Sequence, residues 1–136
     1  VKALALIRRG EQILVHEVYE KDASRRLIGY RTLGGHVEFG ERAAETLQRE
    51  IKEELNTDIR ILGLKGMSEN IFTWGGKPGH EVIFIYEAEF VDPIFYEHDT
   101  MLAVNDLGDN FKVLWIDPHN VPNSLPLFPD GLLEML

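Results

Sequence analysis

A glycine-rich stretch that leads into a helix-forming segment constrains the fold of this chain more than any other feature. Residues 34–41 contain three glycines and end at Glu41, directly before a segment, 42–56, that combines glutamates with apolar residues. Glycine has no Cβ, so the backbone of such a loop can come close to a ligand. The sequence therefore predicts a loop, a helix over 42–56, and a ligand site where the two meet.

The periodicity of residues 42–56 predicts one apolar stripe with a single carboxylate inside it. At about 100° per residue, the stripe spans about 120° and holds Ala43, Ala44, Leu47, Ile51 and Leu55. Glu54 falls inside this stripe, between Ala43 and Leu47. A carboxylate in such a place is unfavourable by on the order of several kcal/mol unless a cation or hydrogen-bond donors compensate it. A positive charge is therefore expected beside Glu54.

Three glutamates of this helix form one acidic group. Glu50, Glu53 and Glu54 are spaced i, i+3 and i+4, so their side chains meet on one side of the helix. Mg²⁺ suits such a group because it is a hard cation bound by a few carboxylates, waters and substrate phosphates. The alternative is a solvated acidic face whose ion-pair partners are Arg49 and Lys52. The inward Glu54 and the glycine loop favour the metal site.

The spacing of these residues resembles a known family motif. Gly35 is followed after five residues by Glu41, and after seven more by the run 49–54, which reads Arg-Glu-Ile-Lys-Glu-Glu. This order resembles the Nudix box of the Nudix hydrolases, here residues 35–57. Because many positions agree at fixed spacing, the motif is far more specific than a lone glycine pattern.

The chain departs from the family pattern at the end of the box. Asn56 stands where the family usually has glycine, and Thr57 where it usually has an aliphatic residue. Asn is the next-best residue for a left-handed helix C-cap, so we expect the turn to be kept. Ile59 is predicted to take over the apolar role. Leu33 replaces a proline found in many members, which affects only the stiffness of the loop.

The resemblance implies an α/β fold, a Nudix-type α/β/α sandwich with a mixed β-sheet between helices, in a single domain over 1–136. The sequence pattern predicts strands over 1–8, 12–19, 28–33, 58–67, 68–74, 80–90 and 111–116. It also predicts an exposed loop at 20–26, a short edge segment at 94–97, a polar loop at 100–110 and a terminal helix over 130–136. In that helix Leu132, Leu133 and Leu136 are expected to face the core.

Roles for the box residues follow from the resemblance. The implied ligands of Mg²⁺, or of Mn²⁺ in its place, are Glu50, Glu53, Glu54 and the backbone carbonyl of Gly35. Arg49 is expected to hold the carboxylates through charge-assisted hydrogen bonds. Glu41 is expected to orient either Arg49 or a metal-bound water. Glu53 is the preferred catalytic base within the box, because the helix angles place it off the apolar stripe.

Two further groups of candidates lie outside the box. The family also places its base on a loop, and Glu97 and Asp99, beside the polar segment 100–110, are the candidates for that role. Glu97 is in addition a candidate substrate contact. Arg31 directly precedes the glycine loop and is a candidate phosphate contact, although an ordinary strand-surface residue is the alternative.

The resemblance implies hydrolysis of a diphosphate bond in a small nucleotide. The substrate is expected to be a nucleoside di- or triphosphate or a nucleoside diphosphate derivative such as ADP-ribose. The rival interpretation is a non-catalytic Nudix-fold domain that binds a nucleotide as a sensor. A binding module would be expected to have lost a box carboxylate, and this chain has the full set.

Composition narrows the remaining classes. The net charge of −9 argues against a surface that coats nucleic acid, which needs clustered Lys and Arg. The absence of Cys excludes a disulfide framework and a cysteine nucleophile. No apolar run approaches a membrane span and no signal layout is present, so we expect a cytoplasmic protein. A homodimer is compatible with the sequence.

Overall fold

The computed structural model describes residues 1–122 and 124–136. In these residues, nine strands form one mixed sheet. The strands are β1 (Lys2–Arg9), β2 (Gln12–Tyr19), β3 (Leu27–Arg31), β4 (Gly34–His36), β5 (Ile59–Trp74), β6 (Lys77–Phe90), β7 (Thr100–Val104), β8 (Asn110–Ile116) and β9 (Leu127–Phe128). The helix α1 (Ala43–Leu55) lies between β4 and β5 in the chain.

Strand β1 is the centre of this architecture. It pairs in parallel with β6 and antiparallel with both β2 and β4. Its alternate residues enter two different cores. Ala3, Ala5 and Ile7 belong to the core that contains α1, while Leu4 and Leu6 belong to the second core. Burial on both faces explains why this strand is a nearly unbroken apolar run.

The helix α1 has the predicted orientation. Leu47 and Ile51 are fully buried and Leu55 nearly so, in the core with β1. Asn56 caps the helix in the left-handed conformation, with φ 52° and ψ 42°, and its N–H donates to the Lys52 carbonyl at 3.0 Å. Ile59 is buried, as expected from its apolar role. The substitution of Asn for glycine in the box therefore keeps the helix end intact.

The second core is closed by the C-terminal segment. Leu132 is fully buried there, against Leu4, Leu6, Ile83 and Ile85. The α/β class with a mixed sheet is confirmed, but the predicted terminal helix is reduced to a 3₁₀ turn, Leu133–Met135. Leu133 is 40% exposed, so its predicted place in the core was wrong. A single turn cannot direct all three predicted leucines to one side.

Three other predictions need correction. The expected edge segment at 94–97 is a 3₁₀ helix, Pro93–Tyr96, in which Asp92 accepts a hydrogen bond from the Ile94 N–H at 3.0 Å. The expected polar loop at 100–110 contains β7, which pairs with β8 along its whole length. The two strands expected at 58–67 and 68–74 are one strand, β5, with pairing irregularities near Gly63 and Gly66. The continuous β5 and the strand β7 are set by pairing with the next strand in the chain, which the residue pattern of a single segment does not show.

In the part of the chain that the structure describes, no helix is both long enough and apolar enough to cross a membrane.

Candidate active site

The glycine strand β4, one side of α1, the start of β1 and the turn between β7 and β8 enclose a cavity of about 470 Å³. Strand β4 is held in place by β1, with Gly35 opposite Ala3 in the pairing register. A Cβ atom at Gly34 would lie 1.9 Å from the Ala3 carbonyl oxygen, so only glycine permits this close approach. The predicted meeting with the helix is therefore present as a cavity, but the first part of the predicted loop, Gly34–His36, is strand β4 because it pairs with β1.

Three carboxylates converge in this cavity. Oxygen atoms of Glu50, Glu53 and Asp106 lie within 4.8 Å of one another. Glu50 and Glu53 come from one side of α1, as predicted, whereas Asp106 comes from the β7–β8 turn. Such a group of hard oxygen ligands is suited to a divalent cation such as Mg²⁺.

Asp106 was missed by sequence reasoning, which considered only Glu97 and Asp99 near this segment. The turn that carries Asp106 is organised by Asn105, whose Oδ1 accepts hydrogen bonds from the N–H groups of Leu107 at 3.0 Å and Asp109 at 2.9 Å. An Asn that accepts from residues just ahead of it marks a tight turn. That signal was available in the sequence, but it did not show that the turn faces α1.

Glu54 lines the same cavity from a deeper position. Its Oε1 atom is buried and has no hydrogen-bond partner among the described residues. Burial, followed by the charges of Glu50, Asp106 and Glu53, raises the pKa of Glu54 to about 8. A bound cation would supply the missing partner and favour the ionised form, so the residues present fit a divalent metal ion.

Gly35 and Glu50 are in close contact. A Cβ atom at Gly35 would lie 2.4 Å from the carboxyl carbon of Glu50. Burial raises the pKa of Glu50, and the adjacent Arg49 opposes this rise. The predicted role of the Gly35 carbonyl as a metal ligand stays a prediction, but its missing side chain is required for Glu50 to occupy its position.

Arg49 links the helix entrance to the carboxylate cluster. Its Nε and Nη2 atoms donate to the two oxygens of Glu41 at 2.8 and 3.0 Å. Its Nη1 donates to Glu50 at 3.0 Å and approaches Glu53 at 3.4 Å. The hydrogen bonds that Glu41 accepts from Arg49 and Thr46 lower the pKa of Glu41 to about 2. Glu41 is therefore in direct contact with Arg49, and its role in orienting Arg49 or a metal-bound water stays a prediction.

Arg31 lies beside the main cavity. Its Nη2 donates to Glu81 at 3.2 Å, and Lys2 approaches the other oxygen of Glu81 at 3.3 Å. Arg31 lines a smaller cavity of about 80 Å³ that shares Lys2, Gly34 and Gly35 with the main one. Sequence reasoning did not identify Lys2, because a residue at the start of a strand carries no sign of what faces it.

Glu97 and Asp99, the predicted candidates for a loop base, do not line the cavity. Asp99 accepts from Arg9 at 3.1 Å, and the carbonyl groups beside Glu97 contact the same arginine. Arg9 is at the opposite end of β1 from Lys2, roughly 23 Å away at about 3.3 Å per residue. The structure does not bring Glu97 or Asp99 to the cavity, and Asp106 is the acid that the β7–β8 segment contributes instead.

The same fold occurs in several solved structures. The chain is similar to the E. coli ORF135 protein, with 17% identity and a TM-score of 0.59, over 98% of this chain and 84% of that one. It is similar to a MutT NUDIX hydrolase from Burkholderia pseudomallei, with 23% identity and a TM-score of 0.59, over 91% and 87% of the two chains. Similarity to a UDP-X diphosphatase, with 13% identity and a TM-score of 0.66, covers 98% of this chain but 59% of that one.

The match to a family is nearly complete along the chain. The model of the NUDIX domain matches residues 1–134. The chain belongs to the NUDIX family. This membership supports its assignment as a pyrophosphohydrolase of the class that generally uses divalent metals and acts on small nucleotides.

Proposed function

We propose that this protein catalyses Mg²⁺-dependent hydrolysis of a diphosphate bond in a small nucleotide. The substrate is a nucleoside di- or triphosphate or a nucleoside diphosphate derivative. The observation that carries the proposal is the convergence of Glu50, Glu53 and Asp106 in one cavity with Glu54, whose buried Oε1 has no hydrogen-bond partner among the described residues. Like charges at such spacing are unfavourable without a cation between them.

The metal ligands of this proposal come from two elements. Glu50, Glu53 and Glu54 of α1 and Asp106 of the β7–β8 turn hold Mg²⁺, or Mn²⁺ in its place, and the Gly35 carbonyl adds a ligand. Bound there, the metal supplies charge neutralisation on the substrate phosphates and a lower pKa for an attacking water. The side chain of Glu50, 13% exposed, fixes one ligand from the protein interior.

The proposed catalytic base is a carboxylate at the open side of the cavity. Glu53 is 48% exposed and lies within the cluster, so its oxygen can accept a proton from a water that reaches the substrate. Asp106 is the second candidate and takes the loop position that sequence reasoning gave to Glu97 or Asp99. Glu53→Gln and Asp106→Asn separate the two, because the variant that lacks the base should lose the larger part of kcat.

Arg49 and Glu41 position the cluster. Arg49 donates to Glu50 and, more loosely, to Glu53. The two bonds to Glu41 hold the guanidinium group in a fixed plane, which limits the directions in which the glutamates can point. Arg49 therefore keeps the carboxylates near one another before a metal binds.

A panel of nucleotides with Mg²⁺ and a phosphate readout tests the proposal. We expect turnover by the natural chain and a fall in kcat of at least about a hundredfold in Glu53→Gln, because its oxygen lies among the proposed ligands. The matched control is Glu45→Gln on the same helix, whose side chain is 59% exposed and pairs with Arg42. Nucleotide binding without turnover by the natural chain would instead support the sensor interpretation.

Cytoplasmic location and a homodimeric state are parts of the proposal that rest on the sequence alone. Fractionation of cells and light scattering of the purified chain test them. A protein found in the membrane fraction, or one monomeric at all concentrations, would contradict the corresponding part.

A further inference from the structure

The smaller cavity beside the active site has features that the hydrolytic cluster does not use. It has a volume of about 80 Å³ and is lined by residues of β1, β2 and β3 and by the backbone of the two adjoining glycines. Because Lys2, Gly34 and Gly35 line both cavities, the two are neighbours. A substrate bound to the carboxylate cluster can therefore extend one of its groups into the smaller cavity.

The charge of this cavity is positive. Lys2 and Arg31 share a single carboxylate, Glu81, at 3.3 and 3.2 Å. All three side chains are largely buried, at 16%, 23% and 14% exposed. Burial lowers the pKa of His16, which also lines the cavity. Basic side chains therefore outnumber carboxylates in this cavity, next to an otherwise acidic active site, and burial, followed by the charge of Arg31, lowers the pKa of Lys2.

Two polar atoms here lack a partner. Arg31 Nε and Thr32 Oγ1 are buried and make no hydrogen bond to any described residue. Thr32 is 1% exposed. Buried polar groups are nearly always satisfied by protein, water or a ligand. A single water needs about 10–15 Å³ on this measure, so a cavity of this size has room for a larger polar group.

We propose that this cavity binds a phosphate group of the substrate, separate from those at the metal cluster. The substrate class is then a nucleoside triphosphate or longer polyphosphate rather than a diphosphate linked to a neutral sugar. This inference rests on the proposed function for the identity of the substrate. A neutral group in the cavity would leave the two basic side chains with Glu81 as their only counter-charge, which disfavours sugar-linked substrates.

The roles of the four side chains follow from their contacts. Arg31 Nε and the Thr32 hydroxyl donate to phosphate oxygens, and Lys2 adds charge. Glu81 is a positioning residue, since it contacts both Lys2 and Arg31 and holds them on the same side of the cavity. Without Glu81 the two cations would repel each other.

Binding of inorganic phosphate tests the site without any need for turnover. Calorimetric titration is carried out on the natural chain, on Arg31→Gln and on Arg26→Gln, both in EDTA and with Mg²⁺. Arg26 is the matched control because it is 73% exposed and pairs with Glu20 in a surface loop. We expect Arg31→Gln to weaken phosphate binding at least about tenfold and Arg26→Gln to leave it unchanged.

Thr32→Val provides a second variant that preserves charge and shape. We expect it to weaken phosphate binding about fivefold through the loss of one donor. If Arg31→Gln does not fold, this variant decides the matter. The proposal is overturned if both variants bind phosphate as tightly as the natural chain, in EDTA and with Mg²⁺. It is also overturned if the natural chain binds no phosphate, and the cavity then holds only water.

Substrate preference provides a second readout. The ratio of kcat/KM for a nucleoside triphosphate to that for ADP-ribose should fall at least about tenfold in Arg31→Gln. An equal loss on both substrates contradicts the inference while leaving the proposed hydrolysis intact. Absence of turnover on every nucleotide, together with Arg31-dependent phosphate binding, contradicts the proposed hydrolysis and leaves the anion site standing.

Discussion

The carboxyl carbon of Glu50 occupies the space that a side chain at Gly35 would need, 2.4 Å from the position of its Cβ. Even alanine would therefore displace Glu50 or shift strand β4. This relation ties the glycine of the motif to Glu50, a member of the carboxylate cluster fifteen positions later in the chain. It makes Gly35 a steric requirement for the proposed metal ligand.

We expect Gly35→Ala to weaken Mg²⁺ binding at least about tenfold, because the added methyl group moves Glu50 away from Glu53 and Asp106. Calorimetric titration with Mg²⁺ measures the effect. The control is Gly63→Ala in β5, where a Cβ meets no atom within 4 Å. Equal Mg²⁺ affinity in both variants would contradict the steric role of Gly35 in placing Glu50.

We expect Asp106→Asn to lower kcat at least about tenfold, because it removes one charge from the carboxylate cluster. Asp109→Asn is the matched control, since Asp109 lies in the same turn but outside the cavity lining. Steady-state kinetics with Mg²⁺ give both values. If Glu97→Gln lowers kcat at least about tenfold and Asp106→Asn does not, the loop base is Glu97, as the sequence predicted.

The raised pKa of Glu54 predicts how stability depends on pH when metal is removed. The folded chain keeps a proton on Glu54 up to about pH 8, whereas the unfolded chain loses it near the ordinary value of 4.5. Stability from this group is therefore complete below about pH 4.5 and decreases as pH rises towards 8. Denaturant unfolding in EDTA should show this decrease relative to Glu54→Gln, whose side chain does not titrate.

Mg²⁺ should reverse this loss. A cation beside ionised Glu54 stabilises the folded state, so at pH 8 the melting temperature of the natural chain should rise with Mg²⁺. The rise should be smaller in Glu54→Gln. In the EDTA experiment, equal changes with pH in the free energy of unfolding of the natural chain and of Glu54→Gln would contradict the burial of a protonated Glu54.

The left-handed Asn56 cap predicts a change in stability that leaves catalysis intact. We expect Asn56→Ala to lower the free energy of unfolding by about 1 kcal/mol, because a Cβ without a compensating polar group disfavours positive φ. Asn56→Gly should keep or raise stability, since glycine adopts this conformation freely. Denaturant unfolding measures both, and kcat should be unchanged. A loss of stability in the glycine variant would show that the Asn side chain is needed.

Features that depend on residues close together in the chain were predictable from the sequence. The periodicity of 42–56 placed Leu47 and Ile51 in the core and Glu54 inside the same apolar stripe, because a helix converts sequence spacing directly into direction. The cap at Asn56 followed from the backbone preference of one residue. The contact between Glu41 and Arg49 was also expected from the motif and is present.

Features that depend on which strands meet were not predictable. The segment 100–110 was predicted to be a polar loop, but Thr100–Val104 is a strand, and its identity as a strand comes from pairing with β8. Asp106 reaches the cluster only because that hairpin folds over α1.

The proposed phosphate site in the smaller cavity was not predictable for the same reason, because it depends on which strands meet. Lys2, Arg31 and Glu81 lie on three different strands, so no local pattern links them. The sequence alone determined the helix, its cap and the carboxylates that project from it. Tertiary structure decided which distant side chains complete the site, since strand pairing brings together residues whose separation in the chain carries no signal of their contact.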